Sequence, residues 1–298
     1  MANRTRISMM AQRIGRKLQK LHPLVFRAQQ LSEVLHEHGS GWRLPRSLTT
    51  DGFINGLIAE GELERVILDF GAESFECYPI PNISVYHLAS YGVPRAYLSH
   101  HSALNVWKLA TQHGSLVYVN QEQSGAPSKA KKNELLQEAI DQAFAGMQRE
   151  SKSRTVFREF DIILIKGKAT GKLGVIEYGS AKRERALLTD VERTLIDCAV
   201  RPSYAGGAKN VLQAFFLAKK KNMVSAAQLA DYLFQLDYVY PYHQCIGLYM
   251  QMAGNYSDEE MAMFETKKPA YDFYLEYGME KTTYNERWRM HFPSALSN

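Results

Sequence analysis

A run of polar residues is set between apolar ones at Tyr97–Leu104, where the sequence reads Tyr-Leu-Ser-His-His-Ser-Ala-Leu. A serine beside a histidine could form a nucleophile with its base, and two histidines could ligate a metal. However, adjacent histidines point in different directions, and no Cys or acidic residue follows at ligand spacing. We favour a capped helix, with Ser99 as the N-cap and Ser102 packing on the strand that follows. We predict neither a catalytic residue nor a metal site in this segment.

Three other residues can be tested as a nuclease site. Such a site needs one acidic residue, a second on a neighbouring strand, and a lysine just after the second to orient water around the metal ion. Asp161, Glu177 and Lys182 come in this order, but Lys182 is five residues beyond Glu177, so the spacing fits poorly. A DNA-targeted nuclease or modifying enzyme is therefore kept only as the alternative function.

A second charged motif, Glu192-Arg193-Thr-Leu-Ile-Asp197, lies on a predicted helix. Arg193 and Asp197 are four residues apart and can pair along the helix surface. Alternatively, Arg193 is buried and holds the turn at residues 201–207. Two glycines end that turn, but no Gly-Lys-Ser/Thr sequence accompanies them, so we predict no nucleotide-binding loop and no cofactor.

Positive charge is concentrated at the start of the chain. The first fifty residues contain nine Lys or Arg and two Glu, a local net charge of +7 on a chain whose total is +5. The remainder is therefore close to neutral. This asymmetry indicates an attached module for a polyanion, and nucleic acid is the commonest such partner.

The apolar periodicity within this module predicts three helices and a hairpin. The helices cover residues 7–21, Arg27–His38, and Ser47 or Thr50 to Ala59, and the strands cover Leu63–Phe70 and Ser74–Ile80. This order is typical of a winged helix-turn-helix. In such modules the third helix enters the major groove with its first residues toward the bases.

Side chains of three kinds are then candidates for DNA contact. Asn55 can pair with adenine and a threonine can meet a base edge, whereas arginines near the helix can bind phosphate or guanine. Alternatively, the third helix only packs a protein-interaction module, and Thr49 and Thr50 cap it. The predicted DNA-binding residues are Arg13, Arg16, Lys17, Arg27, Arg43, Arg46, Thr49, Thr50, Asn55 and Arg65.

A change of character at Pro79 and Pro81 predicts two domains, residues 1–82 and 83–298. In the second domain we predict strands at 96–98, 116–119, 156–160, 162–165 and 173–178, a loop at 120–133, and helices at 99–110, 133–148, 189–200, 207–220, 225–236, 241–253 and 258–277. The predicted fold class is α+β: a winged helix-turn-helix followed by a mixed α/β domain that ends in a helical bundle.

Composition indicates a soluble globular protein, with 45% hydrophobic and 22% charged residues. No apolar run approaches the ~18 residues that span a bilayer. The start lacks a signal-peptide core; its acid-free, Arg-rich first 32 residues also fit a transit peptide, which we disfavour because they run straight into a plausible domain. Cys77, Cys198 and Cys245 lie in apolar surroundings and indicate buried thiols in a reducing cytosol. We expect a cytoplasmic protein.

Four segments together resemble the AbiEi family of type IV antitoxins: Tyr97–Leu104, Asp190–Asp197, Arg201–Gly207 and His243–Tyr249. Their order after an N-terminal winged helix matches as well, and the resemblance covers roughly residues 20 to 255. The Ser-Ala-Leu and Glu-Arg-Thr-Leu sequences, about ninety residues apart, are its most specific part. The first 20 residues and the tail past Asp258 are not matched, and 243–249 lacks an expected arginine pair.

The resemblance implies a DNA-binding antitoxin of abortive infection, a form of phage defence. Its N-terminal domain would bind operator repeats in double-stranded DNA and repress its own operon. Its second domain would counter a nucleotidyltransferase-like toxin without forming a stable complex, so the protein would not be an enzyme. The antitoxin-domain motif residues would be Ser99, His100, Ser102, Glu192, Arg193 and Asp197. A third possibility is a regulator whose C-terminal domain senses a ligand.

Overall fold

The structure is a computed structural model that describes residues 5–111, 114–124, 135–265 and 270–297. Helices and strands are mixed along the chain, which confirms the predicted α+β class. The N-terminal part contains three helices and three strands. They are α1 (Arg6–Leu18), β1 (Val25–Phe26), α2 (Ala28–His38), α3 (Thr50–Ala59), β2 (Val66–Asp69) and β3 (Ser74–Pro79).

The predicted helices and hairpin of this part are present with small shifts of their ends. α1 stops at Leu18, three residues earlier than predicted, and β2 pairs antiparallel with β3 as expected. The two-residue strand β1 adds a third strand on the other edge of β3, in the order β1-β3-β2. Periodicity could not reveal β1, because two residues carry no period.

α1 and α3 pack closely because the apolar side chains of α1 recur at helical spacing. Ile7, Ala11, Ile14 and Leu18 are all buried, and the Thr5 hydroxyl caps the helix by accepting a hydrogen bond from Ser8 N. At the contact, a Cβ added to Gly56 of α3 would lie 2.7 Å from Ile7 Cγ2. Only glycine therefore lets the two helices approach this far.

A six-stranded mixed sheet forms the centre of the molecule, in the order β6-β7-β5-β4-β9-β8. β5 runs parallel to β7 over seven residue pairs, from Leu116 with Asp161 to Glu122 with Gly167, and β4 runs parallel to β9. The elements of this part are α4 (Val85–Gly92), β4 (Ala96–Leu98), α5 (His100–Val106), β5 (Leu116–Glu122), α6 (Gln137–Ala145), β6 (Arg154–Phe157), β7 (Phe160–Gly167), β8 (Val175–Tyr178) and β9 (Ala186–Thr189).

Several predicted bounds change here. α5 ends at Val106 instead of 110, β5 extends through residues 120–122 of the predicted loop, and α4 and β9 were not predicted. Residues 125–133 of that loop, and the first two of the predicted helix at 133–148, lie outside the described residues.

The next segment is helical, as predicted. It contains α7 (Val191–Val200), a 3₁₀ turn (Pro202–Ala205), α8 (Ala208–Lys220), α9 (Ala226–Leu236), α10 (Tyr242–Ala253) and α11 (Asp258–Ala262).

The prediction that the chain ends in a helical bundle is wrong. α11 stops at Ala262, and a small sheet of order β10-β12-β11 follows, made of β10 (Phe273–Tyr274), β11 (Thr282–Asn285) and β12 (Met290–Pro293). Aromatic and β-branched residues in these segments favour strands over helix. Trp288 anchors the sheet to α10: a Cβ on Gly247 would lie 2.3 Å from its ring, and Trp288 Nε1 donates to Gln251 Oε1 at 2.7 Å.

Two large apolar clusters flank the central sheet. The first combines N-terminal residues such as Leu68 with Leu88 of α4 and Leu98, Val117 and Leu164 of the sheet. The second combines the helices from α7 onward with the C-terminal sheet. The first cluster therefore runs across the predicted boundary between residues 82 and 83. The two-domain division stays a prediction.

Hydrogen bonds of His87 also join the N-terminal part to α4 and to the loop before β9. The His87 imidazole accepts from Leu24 N at 3.1 Å and donates from Nδ1 to Arg185 O at 2.6 Å. Burial lowers the pKa of His87 to about 4, so the ring is neutral at pH 7 and this tautomer satisfies both bonds. Beside it, the Tyr91 hydroxyl donates to Glu177.

No helix among the described residues is long and apolar enough to cross a bilayer. All three cysteines are buried and free, as predicted, and burial raises the pKa of the Cys77 thiol to about 11.

Candidate functional site

A basic groove of about 510 Å³ lies between α1 and the end of α2. Its cationic side chains belong to the last turns of α1 and the residues just after it, and Glu37 is the only carboxylate among the described residues of its lining. The alternation of apolar and basic residues along α1 buries Ile14 and Leu18 and leaves the cations toward solvent. The groove is lined by Arg13, Arg16, Lys17, Lys20, Glu37, His38 and residues 40–42.

The connector before α3 adds two more exposed cations, Arg43 and Arg46. Arg43 has a φ of 55°, in the left-handed region that few non-glycine residues adopt. The two threonines that follow also have structural partners. The Thr49 hydroxyl accepts from Gly52 N at 3.1 Å and caps α3, while Thr50 Oγ1 donates to Ser32 Oγ of α2 at 3.1 Å.

Asn55 on α3 is exposed and is held by the hairpin. Arg65 Nη2 donates to Asn55 Oδ1 at 3.0 Å, and Arg65 Nε lies 3.3 Å from Glu76 Oε1 on β3. Arg27 is used differently: its guanidinium donates to the carbonyl oxygens of Glu76, at 2.6 Å, and of Gly92. Arg27 thus joins the start of α2 to β3 and α4, and we leave it out of the candidate DNA surface.

The residues of the alternative nuclease site are not brought together. Asp161 is on β7 and Glu177 on β8, and the order β6-β7-β5-β4-β9-β8 places three strands between them. At the usual strand spacing this is a separation of about 19 Å. Asp161 pairs instead with Arg154, at 2.5 Å, and Lys182 Nζ donates to Gln19 O at 2.9 Å.

Three of the six motif residues meet in an open cavity of about 810 Å³: His100, Arg193 and Asp197. Arg193 Nε donates to Asp197 Oδ1 at 2.8 Å, and the two residues are only 3% and 6% exposed. Arg193 Nη1 also donates to Leu173 O at 2.8 Å. Burial works against the charged guanidinium, but the adjacent Asp197 carboxylate outweighs it and raises the pKa of Arg193. Arg193 is therefore buried, and it holds residue 173 rather than the turn at 201–207.

His100 is buried at the start of α5 with a φ of 50°. Its ring meets the Tyr204 ring edge-on, with centroids 5.3 Å apart, and its Nδ1 is 2.8 Å from Ser99 Oγ. Ser99 occupies the N-cap position as predicted, but its side chain binds His100 instead of capping the helix. Burial lowers the pKa of His100 to about 4, so the imidazole is neutral at pH 7.

The remaining two motif residues have structural partners outside the cavity. Ser102 Oγ accepts from Tyr118 N on β5 at 2.7 Å, which confirms its predicted packing on the following strand. Glu192 Oε1 accepts from Ser225 N at 2.8 Å, just before α9.

Most of the cavity lining was missed by sequence reasoning. It includes basic residues from four segments and five tyrosines, of which Tyr238, Tyr240 and Tyr242 form one dense aromatic run. That run was the single local signal available. The missed residues with polar or aromatic side chains are Asn120, Gln148, Arg149, Glu150, Ser151, Lys166, Lys168, Thr170, Arg201, Tyr204, Tyr238, Tyr240, Tyr242 and Tyr277.

Comparison with known proteins adds one finding about the fold. No protein-family model matches the chain, and no curated protein matches it. Among solved structures, the chain is similar to the Rv2827c protein from Mycobacterium tuberculosis, with a TM-score of 0.56 over 95% of this chain and 91% of that one. The two sequences are 14% identical, so the likeness shows a shared fold and nothing about function.

Proposed function

We propose that this protein is a double-stranded DNA-binding regulator that uses its N-terminal part as a winged helix-turn-helix. The order α1-β1-α2-α3-β2-β3 is the order of elements in that motif, and α2 and α3 pack against each other. The observation that carries the proposal is the concentration of positive charge in the N-terminal part. The basic groove and the connector present Arg and Lys side chains on the same part of the chain, whereas the remainder is nearly neutral.

In this proposal α3 enters the major groove of DNA. Asn55 is the base-contacting residue, because it is exposed on α3 and its amide can pair with adenine. Arg43 and Arg46 bind phosphates at the start of the helix, and Arg65 positions Asn55 from the hairpin. Arg13, Arg16 and Lys17 bind the flanking backbone from α1.

Replacing Arg43 and Arg46 together with alanine is expected to weaken DNA binding and flatten its salt dependence. Each lost phosphate contact lowers the slope of log K against log salt by about 0.9, so the double variant should lose roughly one to two units. Fluorescence anisotropy with a duplex from upstream of the gene, titrated at several salt concentrations, measures both quantities. The matched control is Lys209→Ala with Lys281→Ala, which removes two exposed positive charges elsewhere. An equal loss of affinity and of salt slope in the control variant would show that the effect arises from net charge and not from contacts of Arg43 and Arg46 with DNA.

We further propose, from the AbiEi resemblance, that the protein represses its own operon and counters a nucleotidyltransferase-like toxin without a stable complex. Co-expression with such a toxin from the adjacent gene tests this. The wild type should restore growth, and so should Arg43→Ala with Arg46→Ala, since DNA binding is a separate activity. Asp161→Asn with Glu177→Gln should also restore growth, because these residues form no joint site. If the wild type fails to restore growth, the antitoxin role is refuted. If only the variant with Asp161→Asn and Glu177→Gln fails, the alternative function as a DNA-targeted nuclease or modifying enzyme is favoured.

A further inference from the structure

We propose that the open cavity around His100, Arg193 and Asp197 binds a nucleotide, with its phosphates at the basic mouth and its base among the tyrosines. The cavity measures about 810 Å³, within the range of small-molecule sites and far larger than a lone phosphate needs. It lies in the body of the protein and is distinct from the basic groove of α1.

Burial distinguishes the interior of the cavity from its mouth. His100, Asn120, Arg193, Asp197 and Tyr204 are all buried and line the inner part. The mouth is lined by exposed residues, among them Met147 and Val239, which are 92% and 57% exposed. Apolar side chains this exposed at the rim of a cavity are available to cover a bound ligand.

The charges of the mouth favour an anion. Of its basic residues, Lys166 is paired with Glu73 at 2.6 Å, and Lys168 Nζ donates to the carbonyl oxygens of Leu236, at 2.9 Å, and Asp237. These carbonyls do not neutralise Lys168, which together with Arg149 and Arg201 faces Glu150, the only carboxylate at the mouth among the described lining residues. Inside, the Arg193 charge is matched by Asp197. The net positive charge therefore faces the opening, where phosphate groups would bind and stay partly hydrated.

The tyrosines of the cavity, of which Tyr204 and Tyr242 are buried and the others half-buried, favour an aromatic ring with polar edges. Five tyrosines line the cavity, and each of the nucleobases can stack on an aromatic ring because every base has a flat π-face. Hydrogen-bonding groups are also present: Gln148 Nε2 is buried, and no described residue accepts its hydrogen bond. The backbone of His100 has a left-handed conformation, with a φ of 50°. Strained backbone of this kind is frequent at ligand-binding sites.

These two chemistries together select a phosphorylated nucleoside over phosphate alone or an uncharged nucleoside. The site would let the body sense a nucleotide while the N-terminal part binds DNA. It needs no glycine-rich phosphate loop, because side chains from distant segments supply the positive charge.

The test uses the full-length protein, with isothermal titration calorimetry and thermal shift against ATP, GTP, AMP, adenosine, pyrophosphate and phosphate. At least one nucleotide should bind in a 1:1 ratio and raise the melting temperature. Arg201→Gln should weaken its affinity roughly tenfold or more, the usual effect of losing a charged hydrogen bond. Tyr240→Leu should weaken nucleotide binding more than pyrophosphate binding. Lys209→Gln, which removes one exposed charge elsewhere, should bind like the wild type.

Four outcomes would overturn the proposal. Phosphate or pyrophosphate binding as tightly as every nucleotide would mean a simple anion site. Unchanged nucleotide affinity in Arg201→Gln, with a parental melting curve, would place the ligand elsewhere. Loss of nucleotide binding in Arg13→Ala with Arg16→Ala would assign it to the groove of α1. Absence of binding by any nucleotide would also refute it.

Discussion

Replacing Arg193 with alanine is expected to destabilise the protein by about 3–5 kcal/mol, because it leaves the buried Asp197 carboxylate without its partner. Arg193 Nε donates to Asp197 Oδ1 at 2.8 Å, and its Nη1 satisfies the carbonyl of Leu173. Both residues are almost completely buried, where an unpaired charge is poorly solvated. Thermal unfolding should register a fall of roughly 2–4 °C for each kcal/mol lost.

Two further variants test the cause of this effect. Arg154→Ala breaks the exposed ion pair with Asp161 and should melt close to the wild type, because water screens such pairs. Arg193→Met with Asp197→Leu removes both charges and should recover much of the stability, since apolar replacement of a buried pair is often neutral. Recovery should be incomplete, because the Leu173 carbonyl still loses its donor. A single Arg193→Ala variant that melts like the wild type would show that water reaches this pair.

The second large effect is expected on truncation. A fragment from Ser84 to Asn298 should lose cooperative unfolding and bind a hydrophobic dye, although charge and proline patterns predict that it folds alone. The N-terminal strands cover α4 directly: a Cβ on Gly92 would lie 3.0 Å from Leu68 Cδ1 and 3.4 Å from Cys77 Sγ. Removing residues 1–83 therefore exposes the apolar surface of α4 that packs on β1 and β3, and the part of the sheet at β6 that contacts β2.

The same truncation removes two hydrogen-bond donors that the N-terminal part supplies to α4. His87 loses the Leu24 amide, and the carbonyl of Gly92 loses the Arg27 guanidinium. Circular dichroism, melting curves and dye binding of the fragment, measured beside the full chain, test the expectation. A sharp melting transition without dye binding would establish residues 82 and 83 as a true domain boundary. The fragment could then be used to separate DNA binding from antitoxin activity.

The sequence by itself determined the α+β class and most of the helices. Apolar residues at helical spacing in α1, α7, α8 and α9 are a local property, and they lie where the spacing predicts. The basic N-terminal module is equally local, because its charge is counted along the chain. Where local preference was mixed, as between residues 258 and 277, periodicity predicted a helix. The described residues of that range contain one short helix and the start of a sheet.

Only the tertiary structure decided how the chemistry-bearing residues are combined. The strand order separated Asp161 from Glu177, and it folded α5 and α7 together so that His100 lies beside Arg193 and Asp197. From the sequence, Arg193 could be either exposed or buried, because a pair with Asp197 four residues later forms equally well on a solvent-facing or a buried face of the helix. The cavity has no sequence signature for a physical reason. Its cations and tyrosines come from distant segments, as far apart as Arg149 and Tyr277, and only packing of the sheet against the helices brings them to one opening.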